Sequence, residues 1–422
     1  MKYKKFIFIL LNAIIFFSIF NSDLLLAFQN FSDSKVLYVG GSGPGNYSSI
    51  QIAINNADDG DIVYVYNGTY SEIILIDKPI KLIGENKDIT FINAEKKGDA
   101  VLINADNVHL SNFTLCNTGI GVDYFYNSAL KVQSDNNVIT NLSCINTNFG
   151  MCFINSNGNF ICDNYIKGYW DGISFDYSEN NTLRNNSMYG SGLLTDQKQD
   201  IDTSNTINNK IIYYYYNETG LKVPEDSGQV ILIKCNNFTV ENLTINGTTL
   251  GISIFNSDNN IIKNNVIYEN TDFGIILNNS DNNTIYNNNV YGNIFGIALA
   301  AGGLRCYESF SNCENNTISK NNISNNSLGL MIIKTNNNKI IENNFIENKI
   351  HVEIVMSFKN KFNKNYWDNW LGLKLQFFEN LPKFIPILFT YKRIFSNLPI
   401  DVRKIPVGFI FDENPSESPY DL

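Results

Sequence analysis

The sequence predicts an all-β fold: a single-stranded parallel β-helix of about 12 coils, with a helical cap at the N-terminal end and an irregular C-terminal cap. Three observations carry this. Asparagine makes up 69 of 422 residues, and it recurs in doublets. Units opening at Asn136, Gly158, Asn180, Asn236, Asn259, Asn282, Asn315, Asn337 and Asn360 are spaced 22, 22, 56, 23, 23, 33, 22 and 23 residues apart. Within a unit such as residues 259–281, NNIIKNNVIYENTDFGIILNNSD, three short apolar segments alternate in and out between Asn, Gly, Asp or Ser. Segments of three to five alternating residues are strands, and three strands with three corners in about 22 residues make one coil of a solenoid. Leucine-rich repeats share the period. Here Ile exceeds Leu at the repeat positions, and no stretch between the strands has helix-forming composition.

Residues 1–28 read as an export signal. Lys2, Lys4 and Lys5 precede an apolar run over residues 6–20, which is short for a membrane span of about 20 residues. Cleavage near Ala27 fits, although Leu25 is a poor small-residue match, so an uncleaved N-terminal anchor stays open. A chain carrying this segment is expected to be secreted or held at the extracytoplasmic surface.

Residues 29–105 hold the N-terminal cap and first coils. Residues 35–39 and 61–66 look like strands. Between them, SSIQIAINNA at 48–57 sets Ile50, Ala53, Ile54 and Ala57 on one helical face, with Ser48 or Ser49 as cap. Such a helix would cover the open end of the stack.

Residues 106–365 form the repeats. Two spacings exceed the period, and each equals one repeat plus an insertion, near residues 190–228 and 302–314. Asn tolerates the left-handed conformation that tight corners need. Stacked coils would also bring equivalent Asn amides to about 4.8 Å, close enough to bond as a ladder. Most asparagines are therefore structural. The sixteen Asn-x-Ser/Thr sequons follow largely from this composition, with some glycosylation plausible on an exported chain.

Residues 366–422 break the repeat and are expected to cover the last coil. Lys383 and two prolines deny the apolar stretch 377–391 a membrane span.

The composition excludes several functions. A net charge of −10 argues against nucleic-acid binding, which needs a cationic face. Two histidines, His109 and His351, cannot build a multi-His metal site, and no Cys-x-x-Cys occurs among the seven cysteines. No metal site is expected. Cys306 and Cys313 are the candidate pair for a local disulfide in an oxidising compartment.

The chain resembles the PbH1-type right-handed parallel β-helix repeats and, more narrowly, the NosD-type proteins, common as exported paralogues in archaea. The residues that carry the likeness are GSGPGNYSSIQIAINNADDGDIVYVYNGTYSE at 41–72, KPIKLIGENKDITFINA at 78–94, IIYYYYNETGLKVPEDSGQVILIKCNNFTVENLTI at 211–245, NYWDNWLGLK at 365–374 and ESPYDL at 417–422. The resemblance implies a right-handed β-helix. In the name-giving members it implies a periplasmic accessory that helps load copper onto nitrous-oxide reductase; in the wider group it implies carbohydrate binding or sugar hydrolysis. Copper takes His, Met or Cys ligands. This chain offers two distant histidines and, beyond the initiator, Met151, Met188, Met331 and Met356. No cofactor is expected, with copper and calcium left open.

No catalytic set emerges from the residues. The paired aspartates, Gly-His-Gly and Arg-x-Lys of pectin-hydrolase-like chains are missing from the coils, as is the Asp-Pro-His-Glu of alginate-epimerase-like ones. Arg184 and Arg305 are the repeats' only arginines. Catalytic residues stay unknown. The sequence favours a non-catalytic exported protein that binds glycans or builds the cell surface, ahead of a lyase, hydrolase or epimerase and of a copper-delivery accessory.

Both insertions border the third-strand face. Its outward floor would be Cys152, Ser174, Ser253, Ile276, Ala298 and Met331. Trp170, Asp171 and Asp176 would sit at its edge, with Tyr213, Tyr214, Tyr215 and Tyr216 supplied by the first insertion. Aromatics beside carboxylates suit stacking and hydroxyl bonding to sugars. The same tyrosines would also suit packing of the inserted segment onto the coil.

Overall fold

The Asn-Asn doublets divide two jobs between adjacent residues. In a computed structural model, which describes residues 34–119, 127–302, 312–369, 383–393, 401–412 and 414–422, the first Asn of each doublet turns the corner and the second enters the core. Asn136, Asn180, Asn259, Asn282, Asn315 and Asn337 adopt φ between 57° and 60°. Their successors Asn137, Asn181, Asn260, Asn283, Asn316 and Asn338 are fully buried. The left-handed position is the one where Asn costs least after Gly. Each buried Asn then accepts from the coil below and donates to the coil above. Asn265 gives its backbone and side-chain N–H to Asn288 Oδ1 at 3.0 and 2.9 Å, and Asn288 repeats this with Asn321 at 3.0 and 2.9 Å. The ladder expected from the sequence is thus present, and it runs inside the stack.

The result is a right-handed parallel β-solenoid of about 14 turns with one short helix. First-strand segments pair with first-strand segments of the next coil, and likewise for the second and third strands. The isoleucines of successive repeats are in register: Ile262 pairs with Ile285, Ile285 with Ile318 and Ile318 with Ile340. The helix α1 (Ile50–Asn56) buries Ile50, Ala53 and Ile54, and Ser49 caps it by accepting from the Ile52 N–H. Val36–Val39 and Ile62–Val65 are the strands on either side of it.

One column of glycines was not read from the sequence. Where the chain enters the third strand, an added Cβ at Gly150, Gly251, Gly274, Gly296 or Gly329 would lie 2.2–2.7 Å from a carbonyl oxygen of the following coil. The backbones approach too closely there for any side chain.

The stack is not continuous, and residues 190–228 are not a plain insertion. They contribute another short coil, Leu193–Leu194, Asp200–Ile201 and Thr206–Ile207, in register with the coil before. It is one of the turns by which the observed count of about 14 exceeds the expected 12. The chain then reverses. Thr206–Ile207 pairs antiparallel with Lys210–Tyr216, which runs parallel to Ser227–Ile233 and opens a second stack. The first-strand sheet ends at Asp200–Ile201 and the third-strand sheet at Leu193–Leu194. The Asn columns stop at Gln199 and Asn205 and restart at Asn260 and Asn265. The apolar core divides accordingly. Val230 and Leu232 face the second interior, while Ile231 and Ile233, one residue out of phase, are buried with the first core. At the joint the Gln229 side chain stands in for a strand, accepting from Leu193 N–H at 2.9 Å and donating to Leu193 O at 2.7 Å.

Within the C-terminal segment, Lys383–Arg393 and Asp401–Asp412 form an antiparallel hairpin, in which Ile387 and Leu388 pair with Ile354 and Val355 and Asp412 pairs with Phe362 of the last coils. Buried Asp412 ends an Asn column: Oδ2 accepts from Asn365 N, Asn365 Nδ2 and Trp367 Nε1 at 3.0, 2.9 and 3.0 Å. Burial raises its pKa, and those donors oppose the rise. Among the described residues no helix is long and apolar enough to cross a membrane. The expected signal at residues 1–28 lies outside the described residues.

Candidate functional site

The third-strand floor is closed. Cys152, Ser174, Ser253, Ile276 and Ala298 are all buried and Met331 half-buried, so this face is no open groove. The residues expected around it separate. Trp170 is 38 % exposed, and its carbonyl accepts from the hydroxyls of Thr249 and Thr271 at 2.8 and 3.2 Å, which ties the two stacks together. Asp171 is buried, and Asp176 closes the strand Ile173–Asp176. The four tyrosines alternate across the joint. Tyr213 and Tyr215 pack on the second core, Tyr214 and Tyr216 on the first. Tyr214 Oη accepts from Gln199 N–H at 2.8 Å and donates to Gln197 O at 3.1 Å; burial pushes its pKa up. Tyr213 donates to Asp226 at 2.9 Å, and burial with that carboxylate raises it to about 12. Packing, the second role foreseen for these rings, is the role their contacts describe. Cys306 lies outside the described residues. Cys313 is buried, its thiol 3.6 Å from Leu277 O and pushed by burial to about 12.

The open face is instead the second-strand sheet of the first stack. Cys144, Ile166 and Met188 point inward and are fully buried. Their neighbours point out: Ser143, Tyr165 and Ser187 form one outward row, Ile145 and Lys167 another. The two serines are small, so the Tyr165 ring stands above its row, 5.5 Å from the ring of Tyr189. A hollow of about 600 Å³ lies at one end of this strand, lined by Lys87, Asn141, Asp163, Asn164, Tyr165, Asn185 and Ser187. A second, of about 760 Å³, lies at the other end, where Lys96, Asn148, Tyr165, Lys167 and Tyr169 are among its walls. Tyr165 is common to both.

Local backbone shapes the larger hollow. Asn146, at φ 54°, is an extra residue in Ser143–Thr147, so the pairing with Tyr165–Gly168 slips there. Such a bulge bends the strand and opens the corner. Beyond it Tyr169 is 67 % exposed, with its ring perpendicular to Trp170 at 5.4 Å. The hydroxyls of Thr118 and Thr147, both on the hollow's wall, are buried with no hydrogen-bond partner among the described residues. At the smaller hollow, Asp163 is held below the usual carboxylate range by bonds from the Cys162 thiol and the Asn185 amide. The Cys162 thiol is correspondingly raised, to about 12, by burial first and Asp163 second. Sequence reading missed this face because it followed the insertions. The signal available was the chemistry of one strand, Tyr165–Gly168, whose outward residues are an aromatic and a lysine.

Comparison with known proteins fixes the family. The model of a family described as "Periplasmic copper-binding protein (NosD)" matches residues 54–233 and 225–372. The chain belongs to the NosD family. No curated protein matches it. Solved structures similar to this NosD-family chain include the A-module of mannuronan C-5 epimerase AlgE6 from Azotobacter vinelandii, at 16 % identity, covering 75 % of this chain and 88 % of that one, TM-score 0.35. They also include the family 28 exopolygalacturonase of Yersinia enterocolitica, at 11 % identity, 78 % of each chain and TM-score 0.39. A GH87 α-1,3-glucanase catalytic domain in complex with nigerose matches at 15 % identity, covering 79 % and 66 %, TM-score 0.39.

The family's description implies copper, and the donors here do not fit it. Among the described residues no three His, Cys, Asp or Glu side chains gather. Cys116, Cys144, Cys152, Cys235 and Cys313 are buried, as are Met151 and Met188. His109 is a lone ring in the first stack, its pKa lowered by burial and then by Lys81. His351, in the second stack, sits 2.7 Å from Asp368 and 3.3 Å from the Asn348 amide. Copper needs several soft donors at one point, and these are dispersed along the solenoid.

Proposed function

We propose that this NosD-family protein is exported and acts outside the cytoplasm as a non-catalytic glycan-binding β-helix. One observation carries the reading: an exposed strand face on which Tyr165, Tyr169 and Trp170 rise beside amide and ammonium groups, flanked by two hollows. Aromatic faces stack on the C–H surfaces of sugar rings, and amides bond their hydroxyls. A stacked sheet holds such groups on rigid backbone, so little ordering is needed on binding. Trp170 belongs to this reading as the neighbour of Tyr169. Tyr213 to Tyr216 pack at the joint between the stacks, and Thr249 and Thr271 hold the Trp170 carbonyl there; Asp171 is buried and Asp176 ends its strand, and neither is assigned a part in binding.

A glycan-array screen of the full chain, with reducing-sugar and unsaturated-product assays on each hit, tests the proposal. The expected outcome is binding with no product, weakened by Tyr165→Ala. Product formation would make the protein an enzyme. Binding unaffected by Tyr165→Ala would move the site elsewhere.

A further inference from the structure

The chain carries a net charge of −10, yet the candidate face gathers positive charge. Lys96 and Lys167 line the larger hollow and Lys87 the smaller. Some lysines elsewhere meet carboxylates: Lys131 with Asp99 at 2.7 Å, Lys222 and Lys263 with Glu241 at 3.0 Å, Lys97 with Glu95 at 2.5 Å. None of Lys87, Lys96 and Lys167 has an ion pair within 4.0 Å among the described residues. The nearby acids are engaged. Glu95 holds Lys97, and Asp163, favoured as the carboxylate by bonds from the Cys162 thiol and the Asn185 amide, offsets Lys87 in the smaller hollow, so the uncompensated positive charge is that of Lys96 and Lys167 at the larger one.

We propose that this face takes an acidic polysaccharide, its carboxylates met by Lys96 and Lys167 at the larger hollow, with a sugar ring laid on Tyr165. The dimensions agree with a short run of a linear chain. Asp163 to Lys167 spans about 13 Å at about 3.3 Å per residue of strand, and Tyr165 sits midway. Neither hollow is enclosed, which suits an internal segment of a polymer as well as its end. The net negative charge of the protein disfavours a polyanion at large, so its binding depends on a local positive patch such as this one.

The inference rests on the glycan-binding reading, and the test separates the two. Oligogalacturonate is titrated by calorimetry into the full chain, beside the same oligomer with its carboxyls methyl-esterified. The acid form should bind at least tenfold more tightly than the ester, and the preference should fade as salt rises from about 0.05 M to about 0.5 M. The Lys96→Ala/Lys167→Ala double variant should lose about tenfold for the acid and little for the ester, as expected for two exposed ion pairs. Both lysines are exposed, so their removal leaves the coils intact, checked by far-UV circular dichroism. Equal binding of acid and ester would overturn the acidic specificity and leave the glycan reading standing. Binding of the acid that survives the double variant would overturn the site. No binding of acid, ester or any array glycan would sink both.

Discussion

The two residues of one doublet should respond very differently to the same substitution. Asn287 is exposed at φ 53°, while Asn288 is buried in the ladder. The Asn288 amide accepts from Asn265 N and Nδ2 and donates to Ile262 O, Tyr286 O and Asn321 Oδ1, all within 2.9–3.1 Å. Its two hydrogens and two lone pairs are thus fully used. Asn288→Ala removes about four net hydrogen bonds at about 1 kcal/mol each and strands the Asn265 backbone N–H in a dry interior. The expected loss is about 3–5 kcal/mol. Asn287→Ala places a Cβ-bearing residue without a helpful polar side chain in the left-handed region, at about 1 kcal/mol, and Asn287→Gly should be near neutral. Denaturant unfolding followed by circular dichroism measures the difference. Amide exchange at Asn265 locates it, because repeat stacks can unfold in segments. Equal losses at the two positions, or less than about 1 kcal/mol at Asn288, would refute the division of labour.

Four further outcomes are expected. Ile285→Ala, in the buried Ile column, should cost about 2–5 kcal/mol in the same unfolding assay. Gly274→Ala forces a Cβ to within 2.7 Å of Gly296 O, so it should destabilise by about 1–3 kcal/mol although it removes no contact. Asp412 is raised by burial, so the folded protein binds a proton that the unfolded chain gives up; its contribution is largest below the unfolded carboxylate pKa and falls as pH rises through the raised folded value. Asp412→Asn should flatten that slope in melts taken from about pH 3 to pH 8, and an unchanged slope would exclude Asp412 as its source. Cys162, the most accessible of the described thiols, is held protonated near 12, so its alkylation at pH 8 should be slow in the wild type and faster in Asp163→Asn.

The sequence alone determined the coil. Period, strand placement, the α1 cap and the Ile register all follow from local pattern, because each coil repeats the same short-range chemistry and pairs with its neighbour in sequence. The Asn ladder was legible for the same reason, although the split within each doublet needed φ values. What the sequence could not decide is where repetition stops. Residues 190–228 look like an insertion because the three strands of their coil, Leu193–Leu194, Asp200–Ile201 and Thr206–Ile207, are two residues long, too short to show a pattern. Only pairing reveals that Leu193–Leu194 and Asp200–Ile201 extend the first stack and that Lys210–Tyr216 turns back to start a second. That reversal gives Ile231 and Ile233 a different core from Val230 and Leu232, and it sets the tyrosine run to packing at the joint. The same tertiary event closes the third-strand face and leaves the second-strand face open. Exposure of an outward side chain depends on what lies across from it in space, and no period within a strand encodes that.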